Sequence, residues 1–294
     1  MNEFKAYHPT VSFAYFMAVI GFSMVFMHPV CLLLSFVCSF IYSIMLGGAK
    51  AVKFNLYMLP IFFVAALMNP LFNHQGITVI AYLPSQNPLT LESIFYGICA
   101  SAMIVTVILW FSCFNRIITS DKLMYLFGKI TPVFSLIFSM VLRFVPKFKA
   151  QMRAVLRAQK GVGEGVWDEG LIKKAKNIIK MFSIMITHSL ENAVDTADSM
   201  KARGYGLRGR VAYSNYNFTK KDGIMLAIIL FLASYIIVGA ARGQMKFIYY
   251  PSVEGVKITV KSVLTFTAYL LLCVLPIITE IKEAYKWKAL KSKI

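Results

Sequence analysis

Six apolar stretches, each 17 to 23 residues long, constrain the fold of this chain more than any other feature. At a rise of 1.5 Å per residue, a helix of such length crosses a hydrocarbon core of about 30 Å. Apart from Glu92 and Lys261 at their first positions, the stretches contain no Asp, Glu, Lys, Arg or His. The pattern predicts an all-α integral membrane protein with about six transmembrane helices. The stretches lie at residues 11–27, 29–46, 55–72, 92–114, 223–241 and 261–279.

The basic residues predict the orientation of these spans. Lys50 and Lys53 lie in the segment after the second span, which we expect to be a loop, whereas residues 73–91 after the third contain no Lys or Arg. The tail from Lys282 to Lys293 carries five lysines and one glutamate. Because Lys and Arg accumulate on the cytoplasmic side of membrane proteins, both termini are predicted to be cytoplasmic.

One block of the chain carries most of its positive charge. Residues 116–221 contain 19 Lys and Arg against 7 Asp and Glu, in a chain whose net charge is +18. The two apolar pieces inside this block, 131–146 and 177–190, are short for a membrane crossing. We therefore predict three regions: N-terminal transmembrane helices (1–115), a cytoplasmic region (116–221), and C-terminal transmembrane helices with a basic tail (222–294).

The cytoplasmic block contains two predicted amphipathic helices. In residues 144–161, Lys149, Arg153, Arg157 and Lys160 recur at helical spacing and form a basic stripe beside an apolar face. The second helix spans 177–203, and Gly204 is well placed for its left-handed C-terminal cap.

Two alanines and one arginine are the candidate functional groups of that second helix. Ala193 and Ala197, four residues apart, are expected to let another helix cross closely. Arg203 in the last turn is either a recognition group for a partner protein or a cation that favours the helix dipole and anionic lipid headgroups. The residues alone leave both interpretations open.

The chain lacks the signatures of several other classes. It contains no G-x-x-x-x-G-K-[ST] motif, and "GVGEG" (161–165) is interpreted as a linker rather than a nucleotide-binding loop. Its five cysteines and four histidines form no metal-ligand spacing, and the cysteines are predicted to be buried thiols. We therefore expect no catalytic residue, metal or cofactor, and any transport work must draw its energy from a partner. A nucleic-acid partner is disfavoured because the basic block contains no recognisable binding module.

Four segments resemble one transporter family, the transmembrane T component of energy-coupling factor importers of the ABC class. They are "LMNPLFNHQGITVI" (67–80), "LESIFYG" (91–97), "LRFVPKFKAQMRAVLRAQKG" (142–161) and "ADSMKARGYG" (197–206). The resemblance implies a non-catalytic subunit in a bacterial plasma membrane. Two ATPases would bind the ends of two coupling helices, while a membrane-embedded S component binds a vitamin or metal ion.

The resemblance also implies which residues contact the ATPases. Each coupling helix of the family ends in arginine flanked by small residues, and Ala202-Arg203-Gly204 matches the second of these motifs. The first motif departs from the pattern, because this chain reads Arg157-Ala158-Gln159-Lys160-Gly161. Either Arg157 or Lys160 therefore takes the first contact, and lysine lacks the planar fork of arginine.

Two other classes of function remain as alternatives. A stand-alone carrier or channel would need polar groups along its pathway, and the predicted spans mostly lack them. An integral membrane enzyme would need a cluster of reactive side chains near the interface. His188, Glu191 and Asp195 come nearest to such a cluster, and they fit a polar helix face better.

Overall fold

The computed structural model describes residues 3–82, 88–130, 132–161, 170–207, 216–255 and 259–291. The chain divides into two compact units. The first combines Met1–Leu123 with Tyr216–Ile294, and the second is Met124–Asn215. Helices dominate both units, and the prediction of an all-α membrane protein is confirmed.

Among its described residues, the first unit has six helices and two short hairpins, and a seventh helix, α5 (Ser120–Ile130), begins in it and continues into the second unit. The six helices are α1 (Glu3–Ala6), α2 (Pro9–Val25), α3 (Pro29–Phe72), α4 (Leu91–Ile117), α8 (Lys220–Ala241) and α9 (Val260–Lys291). Of these, α3, α4, α8 and α9 are long and apolar enough to cross a membrane, and α2 is a shorter apolar helix of 17 residues.

Helix α3 corrects one detail of the sequence prediction. It runs for 44 residues and contains both the second and the third predicted span. At Gly48 the backbone has φ 54° and ψ −140°, which bends the chain within a single residue. Glycine adopts such a conformation without a steric penalty. Lys50 and Lys53 therefore lie in a helix directly after the bend, and not in a loop.

The first unit holds two antiparallel hairpins that the hydropathy pattern did not indicate. Strands β1 (Val79–Tyr82) and β2 (Pro88–Thr90) pair between α3 and α4. Strands β3 (Phe247–Ile248) and β4 (Glu254–Gly255) pair between α8 and α9. Glu92 in the first turn of α4 accepts hydrogen bonds from the backbone N–H of Thr78 at 3.2 Å and from its hydroxyl at 2.9 Å. These bonds tie the first hairpin to the helix that follows it.

A small polar network crosses the otherwise apolar core. The indole N–H of Trp110 donates to Ser35 Oγ at 2.9 Å, and Ser35 Oγ lies 2.8 Å from Ser23 Oγ. Ser23 also hydrogen-bonds the Tyr269 hydroxyl at 3.1 Å. The network joins α2, α3, α4 and α9, and each of its buried hydroxyls has a partner, as an apolar environment requires. All five cysteines are buried and free, as predicted.

The N-terminal segment is held by buried and partly buried polar contacts, which we call the N-terminal clasp (Lys5, Tyr7, His8, Lys122 and Asp222). The ammonium of Lys122 in α5 donates to the carbonyls of Lys5 at 2.7 Å and Tyr7 at 3.3 Å. The backbone N–H of His8 donates to Asp222 Oδ1 at 2.9 Å. The other carboxylate oxygen of Asp222 closes a capping box at the start of α8. Burial lowers the pKa of Lys122 to about 8, with a further contribution from the charge of Lys5.

Candidate functional site

The second unit contains the two amphipathic helices on which the candidate site residues lie. Helix α6 spans Pro132–Gly161 and α7 spans Leu171–Ala202. Both begin earlier than the sequence predicted, at 132 rather than 144 and at 171 rather than 177. Helix α6 also passes through Pro146, which the sequence suggested as the end of an apolar piece. The resulting helices are 30 and 32 residues long.

One face of α7 is less exposed than the rest of the helix, and from Asn192 onward it packs towards α6. Its least exposed positions recur at intervals of three or four residues, and Met181 among them is only 1% exposed. Where the helices meet, the Lys147 ammonium of α6 donates to Asn192 Oδ1 of α7 at 3.5 Å. From residue 178 onward, the less exposed positions of α7 are Ile178, Met181, Met185, Ser189, Asn192, Thr196 and Met200.

The two helices run antiparallel: residues 136–147 of α6 and 192–203 of α7 line one common groove, and Lys147 at the end of the first segment contacts Asn192 at the start of the second. The C-terminal ends of the helices therefore lie on opposite sides of the Lys147–Asn192 contact. Arg157 and Arg203 follow that contact by ten and eleven residues, so each lies about 15 Å from it along its own helix. The candidate residues thus form two separate tips rather than one cluster.

The α7 tip has a regular glycine cap. Gly204 adopts φ +79°, its N–H donates to the carbonyl of Lys201 at 2.9 Å, and the N–H of Tyr205 donates to that of Met200 at 3.0 Å. This pair of bonds is a Schellman motif, in which a left-handed residue satisfies the last helical carbonyls. The predicted cap at Gly204 is confirmed. It fixes Arg203 as the C-cap residue, and the side chains of Ala202 and Arg203 are both exposed.

The α6 tip does not distinguish its two candidates. Arg157 is exposed, and its Nε donates to the carbonyl of Arg153 at 3.3 Å. Lys160 is exposed as well, in the last turn before Gly161. The choice between them stays a prediction. Most of the predicted Gly-rich linker, residues 162–165, lies outside the described residues.

Ala193 and Ala197 lie beside the packed face of α7, not on it. Both alanines are exposed, whereas the neighbouring Asn192 and Thr196 point towards the groove. They therefore do not mediate the packing of α7 on α6. Their predicted role in a close helix crossing would have to involve another helix.

The reactive side chains of α7 form no catalytic arrangement within the described residues. His188 Nδ1 lies 3.7 Å from Glu191 Oε2, and both side chains are more than half exposed. Such a pair at i and i+3 is an ordinary helix-surface interaction. Over the described ranges, no three His, Cys, Asp or Glu side chains come together as metal ligands would.

The groove between α6 and α7 has a volume of about 510 Å³ and combines apolar and basic side chains. Arg143 and Lys147 line its α6 wall, and Arg203 and Asp195 line its α7 wall. Arg143 and Lys147 were not among the site residues predicted from the sequence. The signal that could have found them is their spacing of four residues, which places both on one face once α6 continues through Pro146.

The fold and this paired-helix unit together define an all-helical integral membrane protein with two long amphipathic helices, each ending in basic residues. The family model of CbiQ, described as cobalt transport protein, matches residues 5–213. This chain belongs to that family, and the resemblance drawn from its motifs is confirmed.

A curated relative adds to this assignment. The energy-coupling factor transporter transmembrane protein EcfT of Lactobacillus helveticus (strain DPC 4571) is 38% identical over 81 residues. These residues make up 27% of this chain and 29% of the relative. The match thus spans less than a third of that protein.

Proposed function

We propose that this chain is the transmembrane T component of an energy-coupling factor importer. In this role it couples ATP hydrolysis by two partner ATPases to the uptake of a vitamin or metal ion by a membrane-embedded S component. The family supports the proposal at the level of transport. The observation that carries the finer statement is the antiparallel helix pair, whose two tips each present an exposed basic residue. The proposal includes a bacterial plasma membrane and cytoplasmic termini.

The proposed mechanism is mechanical. Each ATPase holds one tip, Arg203 at the end of α7 and Arg157 or Lys160 at the end of α6. When ATP binding closes the ATPase dimer, the two tips are carried towards each other, and the helices transmit this motion to the S component. The length of α6 and α7, 30 and 32 residues, suits this role because a continuous helix transmits displacement along its axis.

Arg203 is the residue on which the ATPase contact depends most. Its guanidinium is exposed at a rigid cap, and arginine binds a carboxylate through two parallel hydrogen bonds. Removing one member of a desolvated charge pair typically costs about 2–5 kcal/mol. The Arg203→Ala variant is therefore expected to bind the ATPase about 30-fold more weakly, or worse.

The test is a detergent pull-down of the tagged full chain from its native membrane, followed by mass spectrometry. We expect two ABC ATPases and a small substrate-binding membrane protein with the wild type, and loss of ATPase with Arg203→Ala. Lys201→Ala is the matched control, because Lys201 is a cation in the same turn, outside the proposed motif. Equal ATPase recovery in all three samples contradicts the proposed contact. Substrate uptake by the chain alone in proteoliposomes would favour a stand-alone carrier instead.

A further inference from the structure

The groove between α6 and α7 carries more positive charge than its own residues neutralise. Three cations line it, Arg143, Lys147 and Arg203, against the single carboxylate of Asp195. Within the described part of the chain, none of the three cations has a carboxylate oxygen within 4.0 Å. Like charges gathered around one groove repel each other, so this arrangement is less stable than a neutral one until an anion enters.

The groove also offers apolar surface between these charges. Met140 and Phe144 on α6 line the same space as Met200 on α7 and Tyr205 in the turn that follows α7. The lining from Leu136 to Lys147 covers three turns, about 16 Å along α6. A ligand that fills this groove is therefore elongated, apolar on one side and anionic at several points.

We propose that the groove docks an acidic amphipathic helix of the ATPase that holds the α7 tip, with Arg143 and Lys147 binding carboxylates beside the one bound by Arg203. This inference rests on the proposed function and extends its contact from one arginine to a surface shared by both helices. A helix of about three turns matches the groove in length, and acidic side chains four residues apart match the spacing of Arg143 and Lys147.

The distribution of polar groups favours a protein helix over an anionic phospholipid. A lipid needs its cations gathered at the headgroup and an uninterrupted apolar path for its acyl chain. Here the cations lie on both walls, and Ser139, Thr196 and Ser199 interrupt the apolar lining with hydroxyl groups. Asp195 adds specificity, because it repels a partner that places a carboxylate opposite it and favours one that places a cation there.

The experiment measures the affinity of the purified ATPase pair for the full chain in nanodiscs of neutral phosphatidylcholine. Arg143→Gln and Lys147→Gln are each expected to weaken binding about three- to ten-fold and to reduce its salt dependence. The matched controls are Arg153→Gln and Lys149→Gln, which remove exposed cations of the same helix outside the groove. Each control is expected to change affinity by less than about two-fold. Because Arg143→Gln relieves repulsion and breaks no described ion pair, we expect it to cause no loss of thermal stability.

Three outcomes overturn the inference in distinguishable ways. If Arg203→Ala weakens binding while both groove variants behave like their controls, the proposed function stands and the extended surface is wrong. If Arg203→Ala also has no effect, the ATPase contact itself is wrong. If the groove variants instead lose a co-purifying anionic lipid, seen by native mass spectrometry, and retain ATPase affinity, the groove is a lipid site.

Discussion

A methyl group added at Gly97 tests whether α3 and α4 pack as closely as the structure shows. Gly97 is buried in α4, and a Cβ there would lie 2.7 Å from the carbonyl oxygen of Ala66 in α3. It would also lie 3.1 Å from Asn69 Cβ and 3.2 Å from Pro70 Cδ. Ordinary van der Waals contact begins at 3.4 Å, so the shortest distance is 0.7 Å too small. Because the obstacle is backbone, no change of rotamer relieves it and the helices must separate.

Two opposing terms set the size of the effect of Gly97→Ala. Overpacking a well-packed site costs about 1–3 kcal/mol, whereas alanine favours the helix over glycine by up to about 1 kcal/mol. We therefore expect a net loss of about 1 kcal/mol, which lowers the midpoint of thermal unfolding by about 2–4 °C. Gly21→Ala is the matched control, because a Cβ at Gly21 meets no heavy atom within 4 Å. Only the favourable term acts there, so its midpoint is expected to rise.

The assay uses the buried cysteines of the chain itself. All five are free and buried, so a thiol-reactive fluorophore labels them as the detergent-solubilised protein unfolds on heating. The opposite signs of the two alanine substitutions make the comparison independent of any general effect of alanine in a helix. An unfolding midpoint for Gly97→Ala at or above that of Gly21→Ala refutes the close packing of α4 on α3.

Two further predictions concern the α7 cap and the N-terminal clasp. Gly204→Ala places a side chain at φ +79°, which costs about 1 kcal/mol, and it is expected to speed hydrogen exchange at the amide of Tyr205. Gly204→Asn is expected to have a smaller effect, because asparagine tolerates this conformation better than alanine. Equal exchange rates in the wild type and both variants contradict the cap. The pKa of Lys122 is lowered from 10.5 to about 8, so between these pH values the unfolded chain holds a proton that the folded chain has lost. Stability at this site is therefore expected to rise from about pH 8 to about pH 10.5 and to be flat below pH 8. Thermal unfolding measured across this range should show a smaller rise in Lys122→Met, and the same rise in both proteins contradicts the shifted pKa.

The sequence was sufficient to predict the features that depend on local composition. Apolar length predicted the membrane-spanning helices, and the glycine directly after the helical pattern, at position 204, predicted the cap, because each feature depends on residues close together in the chain. The bend at Gly48 was missed because glycine in an apolar run signals permissiveness rather than a particular conformation. The hairpins were missed because strands of two to four residues are too short to show an alternating pattern.

The groove could not be predicted because it depends on the pairing of two helices. The helix predicted from the sequence began at residue 144, one residue after Arg143, and Pro146 normally disfavours a helix interior. Helix α6 continues through Pro146, and this continuation brings Arg143 and Lys147 onto one face. Even with that face known, only the antiparallel pairing places it opposite Arg203. Residues 60 positions apart in the chain thereby come to share one site.

This pairing makes the two helix tips of the proposed mechanism unequal. The α7 tip ends beside the N-terminal half of α6, so Arg203 has two further cations, Arg143 and Lys147, in the same groove. At the α6 tip, the role of the motif arginine falls to Arg157 or Lys160, with Gln159 between them. An ATPase that binds the α7 tip would thus contact a basic surface formed by both helices, whereas the ATPase at the α6 tip would contact the end of a single helix. Because the two tips differ, the two ATPases need not present the same surface to this chain. The acidic helix is expected on the ATPase that binds the α7 tip.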